Sequence, residues 1–196
     1  MTPSKGVLEI SLKGELKMGA KTFGLYLNKD ARGCYRNPDA PEKLIRYITR
    51  TNGQDRKDLI SWGGVGVLDR CGVEFVISQF YFAQKAHTRH DDFGRYMSHT
   101  LFSLSTEGAK TILEKNIDFD YIARQMARDI FERDHCQVVY GVHLPDKSDP
   151  HIHIHFAINT VNYRTGCKRH ENMAETRERN RRFNQIISDE ISERNA

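Results

Sequence analysis

The histidine-rich stretch QVVYGVHLPDKSDPHIHIHFAIN, residues 137–159, restricts the possible folds more than any other part of the chain. Two apolar runs, 138–142 and 152–158, flank a polar segment that holds Pro145, Asp146, Ser148, Asp149 and Pro150, the composition of a hairpin connection. Strand side chains alternate between faces with period two, so His151, His153 and His155 share one side while Ile152, Ile154 and Phe156 take the other. A symmetric pairing across the loop sets His143 opposite His151. Four imidazoles on one face of two strands can supply the three neutral nitrogen ligands a divalent metal requires, with a coordination position left open. The alternation implies a metal site and leaves its use open: a hydrolase, a storage site and a structural clip all fit.

The chain length of 196 residues suits one domain with a single core. Hydrophobic residues make up 38% and charged residues 29%, which excludes a disordered or membrane-embedded class. No apolar run reaches the roughly 20 residues of a membrane span, and the opening MTPSKGVLEI lacks a signal-peptide core, so a cytoplasmic protein without membrane partners is expected. Cys34, Cys71, Cys136 and Cys167 form no CxxC pair, and reduced structural thiols are expected. A net charge of +4 is a small bias toward polyanions. The charged final segment suits the front domain of a longer protein.

In chain order, 7–18 alternates like a first strand broken at Gly14, 23–27 is a short apolar run, and 30–39 is a loop. PEKLIRYITR, residues 41–50, reads as a helix with Pro41 and Glu42 in its first turn; Leu44, Ile45 and Ile48 form the buried stripe and Tyr47 lies beside it. Asn52 and Gly53 end it. Gly63, Gly64 and Gly66 lack the lysine of a phosphate-binding loop and read as a tight turn. VEFVISQFYF, 73–82, reads as a central strand from its β-branched and aromatic content. The segment 87–96, with Arg89, Phe93, Arg95 and Tyr96, fits a solvated loop or a surface for phosphates and bases. A strand at 99–104 leads into a helix to Glu114, and Asp118 caps a helix with a core stripe of Ile122, Met126 and Ile130. Residues 168–194 are largely helical, with a stripe of Phe183, Ile187 and Ile191; Arg181 and Arg182 belong to a solvated or a DNA-contacting face.

Taken together, the histidine cluster, PEKLIRYITR and HTLFSLSTEG resemble, in order and across most of the chain, the relaxase domain of plasmid or conjugative-transposon mobilisation proteins. These are endonucleases of the HUH class, and the P-type relaxases are the closest in pattern. The resemblance implies an α/β (α+β) fold, a central antiparallel sheet with helices packed on it, over a single relaxase domain of residues 1–196. It assigns the nucleophile to Tyr47, with Tyr26 and Tyr35 as upstream rivals, and a DNA-contacting serine to Ser103. The pair ahead of Asn159 becomes His153 and His155, with His143 as third ligand and His151 as an extra ligand or phosphate contact. Asp146 or Asp149 would orient an imidazole through its second nitrogen, and Asn159 would stand near the cluster.

The implied activity is metal-dependent, strand-specific DNA nicking through a 5′-phosphotyrosyl adduct, on single-stranded DNA at an origin of transfer, with accessory DNA-binding proteins and a coupling protein as partners. An all-imidazole site favours Mn(II), Zn(II) or Ni(II) over Mg(II), and manganese is the expected ion, with cellular supply deciding. Arg46 and Arg50 would neutralise phosphate beside Tyr47, as would Arg89, Arg95, Arg181 and Arg182 elsewhere. A rolling-circle replication initiator shares this chemistry, whereas a metal-dependent hydrolase or metal-binding module would leave no DNA adduct.

Overall fold

A computed structural model describes residues 22–29, 35–53, 56–87, 94–145 and 150–195. Among them five strands form one antiparallel sheet: β1 (Gly24–Asn28), β2 (Leu59–Val65), β3 (Met97–Leu104), β4 (Val138–His143) and β5 (His153–Asn159), in the order β1-β3-β5-β4-β2. The central strand is therefore β5, which carries the paired histidines. Five α-helices cover the sheet: α1 (Ala40–Ile48), α2 (Val73–His87), α3 (Thr106–Glu114), α4 (Phe119–Asp134) and α5 (Met173–Glu193). This is the antiparallel α+β architecture expected from the sequence.

The period-two alternation of β5 decides what packs where. Ile154, Phe156 and Ile158 enter the larger core with Phe102, Val142, Met126 of α4 and Phe183 of α5. Ala157 joins a smaller core with Met97, Val139, and the buried stripes of α1 and α2. Histidines thus lie on the α1/α2 face, where small residues leave room for them. The cap expected at Asp118 holds, its side chain accepting from the Asp120 amide; Ser105 accepts from the Gly108 amide in the same way, and Asn172 closes a reciprocal capping box with Glu175.

Three expectations need correction. Residues 73–82 belong to α2, not to a central strand: Val76, Ile77, Phe80 and Gln84 are buried at helical spacing, so spacing overrules the strand-like composition. Gly63 and Gly64 lie inside β2, and the turn falls at Gly66, whose φ is +75°. A Cβ on Gly63 would sit 2.5 Å from the Tyr140 hydroxyl and 2.7 Å from an Arg124 nitrogen, so glycine there admits a side chain from the neighbouring strand and one from α4. Helix α1 ends at Ile48 rather than at Asn52, because Arg50 takes a left-handed φ of 54°. The proposed strand at 7–18 lies outside the described residues. Cys71, Cys136 and Cys167 are free thiols. No helix among the described residues is long and apolar enough to cross a membrane.

Candidate metal centre

β4 ends and β5 begins at the same point of the sheet, which pairs His143 with His153 and places His155 opposite Gly141. The expected partner of His143, His151, lies two residues too early. Ile152 bonds instead toward β3 through Leu104, so the ladder to β4 starts only at His153. A two-residue shift preserves the faces, and His143, His153 and His155 converge with ring centroids 4.7 to 5.5 Å apart. All three are buried, with one nitrogen of each within 4.8 Å of the others. The His151 ring is outside this group; its carbonyl lies 2.8 Å from His153 Nδ1.

The second nitrogens are occupied in three different ways. A carbonyl only accepts, so His153 carries its proton on Nδ1 and keeps an Nε2 lone pair. His155 Nδ1 lies 2.9 Å from Nε2 of His99, and His99 Nδ1 lies 2.9 Å from the Tyr35 hydroxyl. His155 Nε2 is shut off from solvent and has no hydrogen-bond partner among the described residues. His143 Nδ1 lies 3.0 Å from Arg50 Nη2, and its Nε2 lies 2.8 Å from the Ile48 carbonyl. A guanidinium only donates, so His143 Nδ1 accepts and Nε2–H donates to Ile48. A metal would displace one of those two bonds.

Helix α1 supplies the wall above the triad. A Cβ on Gly141 would collide with the Ile48 carbonyl oxygen, so glycine at this point of β4 lets the helix end rest on the sheet. Arg50 Nε and Nη2 grip the Asp58 carboxylate, and Nη1 donates to the Tyr47 carbonyl at 2.9 Å. Backbone bonds from Arg50 to Tyr47 and from Thr51 to Arg46 close the helix in a Schellman-type end. That end normally takes glycine; a side chain there costs roughly 1–2 kcal/mol. The Arg50 side chain, bonded to helix, histidine and carboxylate at once, offsets that strain. The Tyr47 ring meets His155 edge-on at 5.5 Å, and the Arg50 guanidinium lies 4.9 Å from its centre.

Burial holds the imidazoles of His143, His99 and His155 neutral. It lowers His143 to about 4, with the Arg50 charge adding to the effect and the Ile48 carbonyl opposing it. His99 is likewise lowered to about 4, by burial first and then by Lys29, and His155 falls well below the ordinary range for the same first reason. Hydrogen bonds from Arg50 keep the Asp58 carboxyl below its usual range despite partial burial. Neutral, convergent, desolvated nitrogens are what a divalent metal takes, and the unpartnered Nε2 of His155 fits one directly.

The remaining candidates separate cleanly. Ser103 pairs with His153 across β3 and β5, on the histidine face. Tyr26 points into the opposite core, where its hydroxyl lies 3.1 Å from a Glu171 oxygen and burial raises its pKa. Tyr35 reaches the triad through His99. The Asn159 amide is spent on Phe80, Gln84, Gln137 and Val161, tying α2 to the sheet rather than orienting an imidazole. Arg46 is held between Glu42 and Glu74. Tyr96 carries the Lys168 ammonium 5.7 Å from its ring, and the carbonyl of Arg95 accepts from Lys168 and Thr160. Arg182 is bound to Asp129, and Arg181 to Glu178, on α5 across the sheet. Asp146, Asp149, Arg89 and Phe93 lie outside the described residues.

Sequence reasoning missed His99 and Asp58. His99 shares its face with Ser103 by period two, but its approach to His155 depends on β3 pairing with β5, which local spacing does not encode.

The model of one family, described as relaxase, MobA/VirD2-like, nuclease domain, matches residues 47–193. The chain belongs to this family. The match begins at Tyr47 and takes in His99, Ser103 and the histidine triad, while Tyr26 and Tyr35 precede it. Comparison with curated proteins gave no match. As a relaxase nuclease domain the chain is a DNA-nicking module of mobilisation, and among the described residues its three clustered histidines form a group that could hold a metal ion.

Proposed function

We propose that this relaxase domain nicks one DNA strand by transesterification, with Tyr47 as the nucleophile and His143, His153 and His155 as metal ligands. The observation that carries the reading is the Tyr47 ring set edge-on to His155, at the rim of a buried triad. A bound divalent ion, manganese by preference and magnesium, zinc or nickel as alternatives, supplies polarisation of the non-bridging phosphate oxygens. Tyr47 Oη attacks phosphorus as the bond to the 3′ oxygen breaks. The strand is left with a 5′-phosphotyrosyl end and a free 3′ hydroxyl, the phenol having lost a proton and the leaving oxygen having gained one. Packing of α1 onto Gly141 holds the phenol in place for in-line attack.

Ser103, beside His153, contacts the DNA backbone, and Arg50 lends positive charge under Tyr47 while Asp58 fixes its direction. The substrate is single-stranded DNA at an origin of transfer, delivered in the cytoplasm with accessory DNA-binding proteins and a coupling protein, and residues 1–196 form the nuclease unit.

A labelled single-stranded origin oligonucleotide incubated with manganese tests the reading. A covalent adduct is expected with the unaltered protein and none with Tyr47→Phe. Two free ends without an adduct would make the domain a hydrolase, and an adduct that persists in Tyr47→Phe but vanishes in Tyr35→Phe would move the role to Tyr35.

A further inference from the structure

We infer that His99 is a positioning residue of the metal centre: held by Tyr35, it accepts the Nδ1 proton of His155 and thereby leaves the His155 Nε2 lone pair facing the other two histidines. The inference rests on the metal reading above.

Its basis is the chain of contacts Tyr35 Oη, His99 Nδ1, His99 Nε2 and His155 Nδ1, each link 2.9 Å long and buried at the histidine end. Two neutral imidazoles share one proton across such a contact, so the chain has two arrangements. In one, His155 donates to His99 and His99 donates to Tyr35. In the other, Tyr35 donates to His99, His99 donates to His155, and the proton of His155 sits on Nε2. The second puts an N–H into a desolvated space where Nε2 has no acceptor among the described residues, and it removes the lone pair a metal needs. The first satisfies both. It also differs from the way His153 is fixed, because a carbonyl permits one tautomer whereas an imidazole permits two.

Two consequences follow from the first arrangement. Tyr35 accepts rather than donates toward His99, so its own hydroxyl proton is turned away from the triad. His155 is supported by a neutral ring and not by a carboxylate, which adds no negative charge beside a centre that must receive phosphate.

The test combines nitrogen-15 NMR of the histidine rings with zinc affinity. In unaltered protein loaded with Zn(II), His155 Nδ1 and His99 Nδ1 should carry protons and His99 Nε2 should not. His99→Leu should weaken Zn(II) binding about 10–100-fold, the usual cost of removing an outer partner of a metal-bound histidine. His99→Gln, which keeps an acceptor oxygen, should recover most of that loss. A proton on His99 Nε2 in the zinc-loaded protein would overturn the inference even if the variants failed to fold. Equal zinc affinity in His99→Leu, or equal weakening in the Leu and Gln variants, would overturn it as well. If the unaltered protein retained no zinc at all, the metal reading itself would fall.

Discussion

Both faces of the sheet bury polar side chains, and they do so by opposite rules. Under α4 and α5, Asp134 and Glu171 face Arg169 and Arg179 at 2.6 to 3.1 Å, four charges in two signs whose contacts close on one another. Under α1 the imidazoles of His99, His143 and His155 are held neutral by burial, beside the Arg50–Asp58 pair, and the inward nitrogen of His155 has no partner among the described residues. In the first pattern each charge faces one of opposite sign, although Arg169 Nη2 and Arg179 Nη1 make no hydrogen bond among the described residues; in the second, nitrogens of three imidazoles converge within 4.8 Å of one another, the geometry a metal ion requires. Matched burial reads as structure, and unmatched burial at converging donor atoms reads as a site. Two tyrosines follow the same division: Tyr26 gives its hydroxyl to Glu171, whereas Tyr47 stands edge-on to His155.

The largest test of this division exchanges the phenols. Tyr47→Phe should abolish the DNA adduct while leaving thermal stability and metal retention near those of the unaltered protein. Tyr26→Phe should keep the adduct and cost roughly 1.5–3 kcal/mol of stability, the worth of a hydrogen bond to a charged group. Denaturant unfolding alongside an adduct assay reads both, and a Tyr26→Phe protein that folds normally yet forms no adduct would break the comparison.

Next in size is the ionic cluster itself. Glu171→Gln removes one charge from a buried set, leaving Arg169 and Arg179 under-neutralised, and should cost roughly 3–5 kcal/mol. Metal affinity should not change, since none of these groups touches the triad. A metal-binding loss larger than the stability loss would show that the two faces are coupled through the sheet.

Much of this division was legible in the residues. The period-two alternation of 151–156 assigned imidazoles to one face and Ile152, Ile154 and Phe156 to the other without any knowledge of the tertiary fold. Asp118 marked a helix start because its side chain caps the amide two residues on. What failed was non-local or conflicting. The composition of 73–82 favoured a strand, whereas the spacing of Val76, Ile77, Phe80 and Gln84 matched the helix that formed. The hairpin register went wrong because β3 competes for the residues before His153. Arg50 looked like a phosphate ligand; only the left-handed turn at the end of α1 reveals that it holds Asp58 and His143.

A smaller effect concerns acid. Burial disfavours the Asp134 carboxylate, but Arg169 and Arg179 outweigh it and keep the pKa below the ordinary value. Cys136, Glu171 and Asp129 complete its charged and titratable surroundings. A depressed folded pKa means that the unfolded chain binds the proton more readily, so the stabilisation is present in full above about pH 4 and is lost as pH falls through the folded value. Asp134→Asn should therefore flatten the acid limb of a stability profile taken below about pH 4. An unchanged limb would show that the far-face charges are not what fails in acid.

The smallest effect expected is at Arg181, and it asks where the DNA runs. Its guanidinium is 61% exposed and bonded to Glu178 on α5, across the sheet from the triad. An exposed pair of this kind is screened by solvent and adds little to stability, so Arg181→Ala should leave the fold nearly untouched. Each phosphate contact to a single strand contributes roughly 0.7 to the slope of log affinity against log salt. Binding to the origin oligonucleotide should have a slope of several units set by the histidine face, and Arg181→Ala should not change it. A drop of about 0.7 in slope with Arg181→Ala would put DNA on α5. The far face would then share in substrate binding, and the separation of a structural from a functional face would hold for the chemistry alone.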